Sequence, residues 1–278
     1  MEQFEEIKKE ILERARTAGA CTGQYKRAYQ SENIETLCDV IKENFCWCCS
    51  NNVLDGELID KYKEVFSSNK IYHNVSVTNA FLLSSGNSTV EAHDNSTVEA
   101  HGNSTVKAYG NSTVKASGNS TVKAYGNSTV EAYGNSTVEA YDNSTVEAYG
   151  NSTVKAYDNS TVEAHGNSTV EAHGNSTVEA YGNSTVEAYG NSTVKAYDNS
   201  TVEASGNSTV KAYGNSTVEA HGNSTVKAYG NSTVKAYDNS YINCNSTIEC
   251  VLKGNSIVRR WDTNTIQYVS DELKFEKI

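Results

Sequence analysis

The chain contains no proline, one methionine, two tryptophans and five phenylalanines in 278 residues. So small a stock of bulky apolar side chains excludes the rounded interior of an ordinary globular domain of this length. No apolar run approaches the ~18 residues of a membrane-spanning helix, so no membrane partner is expected. The N-terminal MEQFEEIKKEILERAR is a charged amphipathic stretch without the apolar core of a secretory signal, and a cytoplasmic protein is expected from it. Basic residues are outnumbered 23 to 34, for a net charge of −11. That shortage argues against a nucleic-acid partner, because neutralising phosphates needs an excess of Lys and Arg. In a reducing compartment the seven cysteines read as buried thiols, with no disulfides expected.

What is present is repetition. From Gly86 to Tyr237 the chain runs through nineteen uninterrupted octads of the form G-N-S-T-V-E-A-Y. Asn, Ser, Thr and Val at positions two to five and Ala at position seven never change. Position one is Gly or Asp, position six Glu or Lys, and position eight Tyr, His or Ser. Side chains of a strand alternate between its two faces. With Val turned inward, Ser and Ala turn inward with it, while Thr, the charge and the aromatic face water. Gly-Asn and Asp-Asn tolerate positive φ and form the corners, leaving about six residues of strand per octad. A helix fails, since a period of eight would smear Val, charge and Tyr around a 3.6-residue screw.

One such strand cannot enclose its own valine, so the fold class is a parallel β-solenoid, mainly β, in which coils must stack. An interior of only Ser, Val and Ala suits two thin sheets pressed together, hence two octads, sixteen residues, per coil. Three octads with a triangular section is the alternative. Stacking aligns identical asparagines, whose amides are expected to set the register.

Three regions follow. Residues 1–69 form an α-helical cap domain. One helix carries Phe4, Ile7, Ile11 and Ala15. A second begins at Ser31 and carries Leu37, Val40, Ile41 and Phe45. A third opens at Asp55-Gly56 and carries Leu58, Ile59, Tyr62, Val65 and Phe66. Residues 70–237 are the solenoid, with the octad phase traced back through Val75-Ser76-Val77 and Ala80-Phe81-Leu82. Residues 238–278 are degenerate repeats and a C-terminal cap, where Ile242, Ile248, Val251, Leu252, Ile257 and Trp261 close the last coil and Asp262-Thr-Asn-Thr-Ile266 echoes the period. Caps at both ends disfavour end-to-end polymers and point to a monomer or small oligomer.

Little chemistry is legible. His93, His101, His165, His173 and His221 all occupy position eight, and neither coil size stacks two of them, so no metal ladder is expected. Cys46, Cys48 and Cys49, with Cys21 and Cys38, are spaced too tightly for structural zinc and read as buried thiols. Cys244 and Cys250 read as core residues of the C-terminal cap. No nucleophile stands beside a base and no phosphate loop is present. No catalytic residue, metal or cofactor is expected, and the chain is expected not to be an enzyme.

The outward positions become rows when coils stack. On a two-octad coil Tyr181, Tyr197, Tyr213 and Tyr229 form one file with Lys195, Lys211 and Lys227 beside it, the candidate binding strip. An acidic file, Glu131, Glu147, Glu163 and Glu179, precedes it. The opposite face carries Glu171, Glu187, Glu203 and Glu219. The octads, the Asn-Ser-Tyr-Ile and Asp-Thr-Asn-Thr-Ile endings, and the leading Ala18-Gly-Ala-Cys21 and Asn52-Val-Leu-Asp-Gly56 resemble uncharacterised octapeptide-repeat proteins of gut bacteria and their mobile elements. The resemblance implies a bacterial solenoid behind a short helical domain and no particular activity. The expected function is a structural or interaction protein, a spacer or scaffold for an unidentified protein partner. The alternative is a binding module whose Tyr and charge rows take a carbohydrate, an anionic partner or a nucleic-acid enzyme.

Overall fold

The computed structural model describes residues 2–269. Residues 270–278, the tail of the expected C-terminal cap, lie outside the described residues. The chain is a parallel β-solenoid of about 12 turns with roughly 16-residue spacing, preceded by a region of 6 helices. It divides into two compact units, Met1–Val122 and Lys123–Ile278.

In the second unit each octad contributes one strand, and strands sixteen residues apart pair in register: Thr145 opposite Thr161, Val146 opposite Val162, Glu147 opposite Glu163, Ala148 opposite Ala164. The two-octad coil therefore holds and the triangular alternative does not. Ser144, Val146 and Ala148 are fully buried, as are their equivalents along the repeat. Enclosing a valine is worth roughly 1.5–3 kcal/mol, and ordering a residue costs about 1–2 kcal/mol. A lone coil with two valines cannot balance sixteen ordered residues, so each coil is stable only against its neighbours.

The strands are shorter than expected, four residues from Thr to Ala, as in Thr161–Ala164. The serine at position three explains the difference. Ser160 Oγ donates to the carbonyl of Tyr157 at 2.7 Å, and its N–H reaches the same carbonyl at 3.1 Å. Both bonds fold the chain into a tight corner from position eight to position three. The corner does not interrupt the ladder between coils, because Tyr149 N–H donates to Ala132 O at 2.8 Å and Asn151 N–H to Gly134 O at 2.9 Å. Asparagine amides do bond from coil to coil, but at 3.1 to 3.5 Å on the surface, as in Asn183 to Asn167 and Asn199 to Asn183. Serine hydroxyls add enclosed bonds to the neighbouring coil, as in Ser184 to the Ala164 carbonyl at 3.1 Å, so two side chains of the octad link coil to coil.

Position one holds the left-handed residue of each corner. Gly190 has φ +70°, and a Cβ there would lie 3.0 Å from the Gly174 carbonyl oxygen. Asp198 occupies the equivalent place at φ 56°. Its carboxylate accepts the Gly182 N–H of the coil below at 3.1 Å.

The first unit carries the six helices α1 (Glu2–Thr17), α2 (Thr22–Tyr29), α3 (Ile34–Glu43), α4 (Phe45–Ser50), α5 (Gly56–Lys61) and α6 (Lys63–Ser68). Three expected helices are thus six. Helix α2, with no side-chain cap, gave no signal. The expected second helix begins at Asn33 instead of Ser31. Asn33 Oδ1 accepts the Thr36 N–H at 2.9 Å in a reciprocal capping box, whereas Ser31 Oγ turns back to the Arg27 carbonyl. It also stops at Glu43, where the Asn44 amide takes the Val40 carbonyl, and Phe45 opens α4. The third begins at Asp55 as expected, then breaks at Tyr62 (φ −116°, ψ 38°). Ile7, Ile11, Leu37, Ile41, Phe45, Leu58 and Phe66 form one apolar core with Ile71 and Leu83 from the first strands.

Those strands are β1 (Ile71–His73), β2 (Val77–Thr78), β3 (Phe81–Ser84), β4 (Thr89–His93) and β5 (Thr97–Ala100). The octad phase does not extend to residue 70. Ile71 pairs with Phe81, ten residues on, and Val77 with Ala92, fifteen on. Sixteen-residue register begins at Phe81 opposite Thr97. Val75 is exposed, while Ala80 and Leu82 are buried as expected. Packing of Ile71 into the helical core fixes the first strand's place, and the repeat takes over where that contact ends.

At the C-terminal end Ile257–Arg260 pairs antiparallel with Thr265–Tyr268, so the Asp262–Ile266 stretch turns back as a hairpin and ends the coil. Ile242, Ile248 and Val258 are buried, but Val251, Trp261 and Ile266 are exposed. Val251 and Trp261 fall at positions six and eight, which face outward in every coil, so they cannot fill the interior. Among the described residues no helix is long and apolar enough to cross a membrane.

The corner geometry predicts an inverted size effect. Gly190→Ala should cost about 1–2 kcal/mol in urea unfolding, from left-handed strain and contact with Gly174. Gly190→Asp, the larger change, should cost less, because its carboxylate can accept the Gly174 N–H. Equal losses would refute this account of the corner.

Candidate functional site

Position eight places an aromatic ring after most strands, serine standing there only at 117 and 205, and sixteen-residue stacking brings successive rings face to face. In the second unit Tyr133, Tyr149, His165, Tyr181, Tyr197, Tyr213 and Tyr229 form one continuous file. Their centroids are 4.8 to 5.1 Å apart and their planes within 9° of parallel. The opposite sheet carries Tyr125, Tyr141, Tyr157, His173 and Tyr189. Ser205 then interrupts it before His221 and Tyr237. Offset-parallel rings at this spacing attract one another beyond simple burial. The histidines therefore behave as further members of the stack.

Positions six and eight lie on the same face of a strand, and where position six is Glu the tyrosine hydroxyl donates to it. Tyr141 reaches Glu139 at 2.8 Å, Tyr149 Glu147 at 2.7 Å, Tyr181 Glu179 at 2.7 Å and Tyr189 Glu187 at 2.7 Å. Hydrogen bonding to the carboxylate, together with burial, pushes Tyr149, Tyr181 and Tyr189 up to about 12. Burial first and then Glu139 does the same for Tyr141. Where Lys stands one coil from Glu the two pair: Lys123 with Glu139 at 2.8 Å, Lys155 with Glu171 at 3.0 Å, Lys195 with Glu179 at 2.6 Å. Glu179 is consequently held below the usual carboxylate range by Lys195 and then by Tyr181.

The strip named from the sequence therefore divides. Tyr181 and Lys195 belong to a closed network around Glu179. Beyond it, register places Lys195 against Lys211 and Lys211 against Lys227. Among the described residues Lys211 and Lys227 have no ion pair, and the hydroxyls of Tyr197, Tyr213 and Tyr229 have no hydrogen bond. The cationic row also continues farther than expected. Lys227 pairs in register with Asn243 and Asn243 with Arg259, and Arg259 is exposed. Its signal was present in the sequence, an arginine at position six of a degenerate octad. On the opposite sheet at the same level stand Glu187, Glu203 and Glu219, also in register.

The first unit holds side-chain constellations that lie outside the repeat. His73 Nδ1 lies 2.9 Å from Asp60 Oδ2, and its Nε2 lies 2.9 Å from Ser85 Oγ. No motif or periodicity marks this Ser–His–Asp relay, because its members sit on α5, β1 and the corner after β3. The Ser85 N–H is already donated to Asn74 Oδ1 at 2.9 Å, so the donor that would face an oxyanion at this serine is taken. The ring also lies directly on Gly56, where a Cβ would overlap it. The relay ties α5 to the first coil. Nearby, Ser50 of α4 donates to the buried Glu99 at 3.0 Å. His101 Nδ1 meets Ser117 Oγ at 2.8 Å, and burial lowers the pKa of that histidine.

A hollow of about 290 Å³ lies among the helices between Ile11, Tyr25, Ile41, Trp47 and Val53. Its two amides are engaged, Asn44 with Val40 O and Gln24 with Arg27. Cys38 and Cys48 are buried, and desolvation raises their thiols to about 12 and 11. Cys21 is exposed and Cys46 half-buried, against the expectation of a wholly buried group; Cys21 is the extended residue that precedes α2 and lies outside any helix. Among the described residues no group of three or more His, Cys, Asp or Glu side chains could hold a metal.

Two measurements follow from these contacts. A neutral phenol whose folded pKa is raised favours folding below the unfolded value near 10, and that contribution is lost as pH rises toward 12. Tyrosinate absorbance should therefore show at least four tyrosines ionising only near pH 12, and Glu139→Gln with Glu179→Gln should move two of them to lower pH. His73→Ala should lower stability by about 1–3 kcal/mol, read as earlier loss of helical circular dichroism.

Compared with family models, with curated proteins and with solved structures, the chain matches none of them.

Proposed function

We propose that the chain is a non-enzymatic interaction scaffold, and that the part of the solenoid from Tyr197 to Arg259 takes an extended acidic segment of a partner protein. One observation carries the reading. Tyr197, Tyr213 and Tyr229 stack at 4.8 to 5.1 Å from their neighbours in the file, yet their hydroxyls and the ammonium groups of Lys211 and Lys227 stay unengaged. Farther down the same file comparable groups are tied to Glu. Neighbouring lysines repel, by roughly 0.2–1 kcal/mol for a directly opposed pair, and an acidic ligand with carboxylates at a strand-like spacing would relieve that repulsion.

The stacking itself counts against a carbohydrate ligand. Each ring within the file covers the faces of its neighbours, leaving edges and hydroxyls to the outside. A sugar that packs on an aromatic face would find those faces occupied. The acidic rows favour a nucleic-acid mimic less than their charge suggests, because Glu147, Glu179 and Glu187 already accept a tyrosine hydroxyl. We place the protein in the cytoplasm as a monomer or small oligomer, and we take the octapeptide-repeat likeness as a proposal about its kin.

Quantitative capture from the cells that make the protein tests this, with Lys211→Glu/Lys227→Glu and Tyr197→Ser/Tyr213→Ser compared to the unaltered chain. The reading expects an acidic partner to fall at least about tenfold with the lysine pair, since two interfacial charges are each worth roughly 1 kcal/mol or more. Removal of residues 1–69 should leave that partner bound. Loss on removing the helices, with no effect of either pair, would make the solenoid a spacer and sink the binding face.

A further inference from the structure

Two thiols meet where the repeat ends. Cys244 stands at the alanine position of its octad and Cys250 at the valine position of the next, so both turn inward. Their sulfurs are 3.6 Å apart. Arg260, sixteen residues beyond Cys244 and directly stacked on it, occupies the alanine position of the last coil and is 9% exposed. Its Nη1 lies 3.1 Å from Cys244 Sγ and donates to the carbonyls of Asn245 and Ile248, each at 2.7 Å.

The arginine has a structural reason to be there. In the regular coils serine at position three bonds the carbonyl of position eight. In this octad position three is Ile248, and the guanidinium takes over the Asn245 carbonyl that a serine would have held. That substitution brings a full positive charge against a thiol in an interior otherwise built of Val, Ala and Ser.

The geometry points to Cys244 and Cys250 as a redox-active dithiol that exchanges with low-molecular-weight disulfides and closes to an intramolecular disulfide, with Arg260 as its positioning residue. The other buried thiols show the contrast. Cys38 and Cys48 are raised by desolvation, whereas the contact with Cys250 and the adjacent Arg260 bring Cys244 down to about 7 against the opposing effects of burial and of Asp262. Cys250 keeps its proton more tightly through the same contact. Arg260, Asp262 and the paired thiol are the charged or titratable groups acting on Cys244. Asp262 is itself occupied by the Ser246 N–H and hydroxyl.

The exchange balances in two steps. Cys250 is the half-exposed member and attacks one sulfur of the small disulfide. Its proton passes to the Cys244 thiolate, a mixed disulfide forms at Cys250, and the first small thiolate leaves. Cys244 then gives its proton to that thiolate and attacks the Cys250 sulfur. The mixed disulfide breaks and the second small thiolate departs. The protein loses two electrons, and the small disulfide gains them, leaving as one thiol and one thiolate. Sulfur–sulfur closure to about 2.05 Å requires the side chains to approach by about 1.5 Å.

The full chain is incubated with oxidised glutathione at pH 7.5, quenched with acid, alkylated after unfolding and mapped by mass spectrometry. Cys244 and Cys250 should be cross-linked to each other, ahead of any pairing among the other five cysteines, and reopened by dithiothreitol. Cys244→Ser should stop at a stable glutathione adduct on Cys250, formed more slowly because the thiolate that takes the Cys250 proton is gone. Cys250→Ser should leave Cys244 unmodified, because it is fully enclosed. Arg260→Gln should slow closure about tenfold at pH 7.5 and move the rate's pH dependence upward, and Arg260→Lys should recover part of it. Full alkylation of both cysteines in the unaltered chain after prolonged oxidation would falsify the proposal, as would cross-links spread evenly over all seven.

Discussion

Everything in the solenoid depends on the hydrogen-bond ladder between coils, because it continues through the corners as well as the strands. In most sheets the turn releases the backbone to water. Here Asn151 N–H still reaches the carbonyl of Gly134 and Tyr149 N–H that of Ala132. Within the second unit each coil is therefore held to the next around its perimeter, and the side chains need only fill a narrow gap. Valine, alanine and serine suffice, which is why the chain does without proline and nearly without methionine. The serine hydroxyl completes the arrangement by bonding both its own corner and, as in Ser160 to Ala140 O at 3.0 Å, the coil below.

Most of this was legible from the repeat. Ser, Val and Ala are both invariant and enclosed, and the variable residues of the strand, at positions six and eight, face outward with threonine, so alternation alone identified the interior. The thinness of Ser, Val and Ala selected two octads per coil. The tyrosine-to-glutamate bonds were legible in principle, since residues two apart on a strand share a face. What could not be read has a common physical origin. The ten- and fifteen-residue spacings of the first coil follow from Ile71 being claimed by the helical core. The contacts of His73 with Asp60 and Ser85 join residues with no periodic relation. Capping at Asn33 instead of Ser31 was decided by which side chain could reach the Thr36 N–H.

The candidate site shows how identical modules acquire differences. Glu or Lys at one position decides whether the adjacent tyrosine is tied down or left with its hydroxyl outward, and whether the coil above is attracted or repelled. Tyr181 and Tyr197 stack on each other in the same file, yet only the first has a glutamate within its own strand. A single charge at position six thus sets the hydrogen bonding of a ring whose stacking it leaves untouched.

The pairing of two octads into each turn makes the faces sensitive to parity. Gain or loss of one octad inside the tract would leave every interior position filled as before, because Ser, Val and Ala recur identically. Yet each later residue would move to the other sheet, carrying the lysines of 211 and 227 onto the side that bears the acidic row. Two such events restore the original assignment. A tract of this construction can therefore change length without disturbing its interior, while every odd step exchanges what the two sides present.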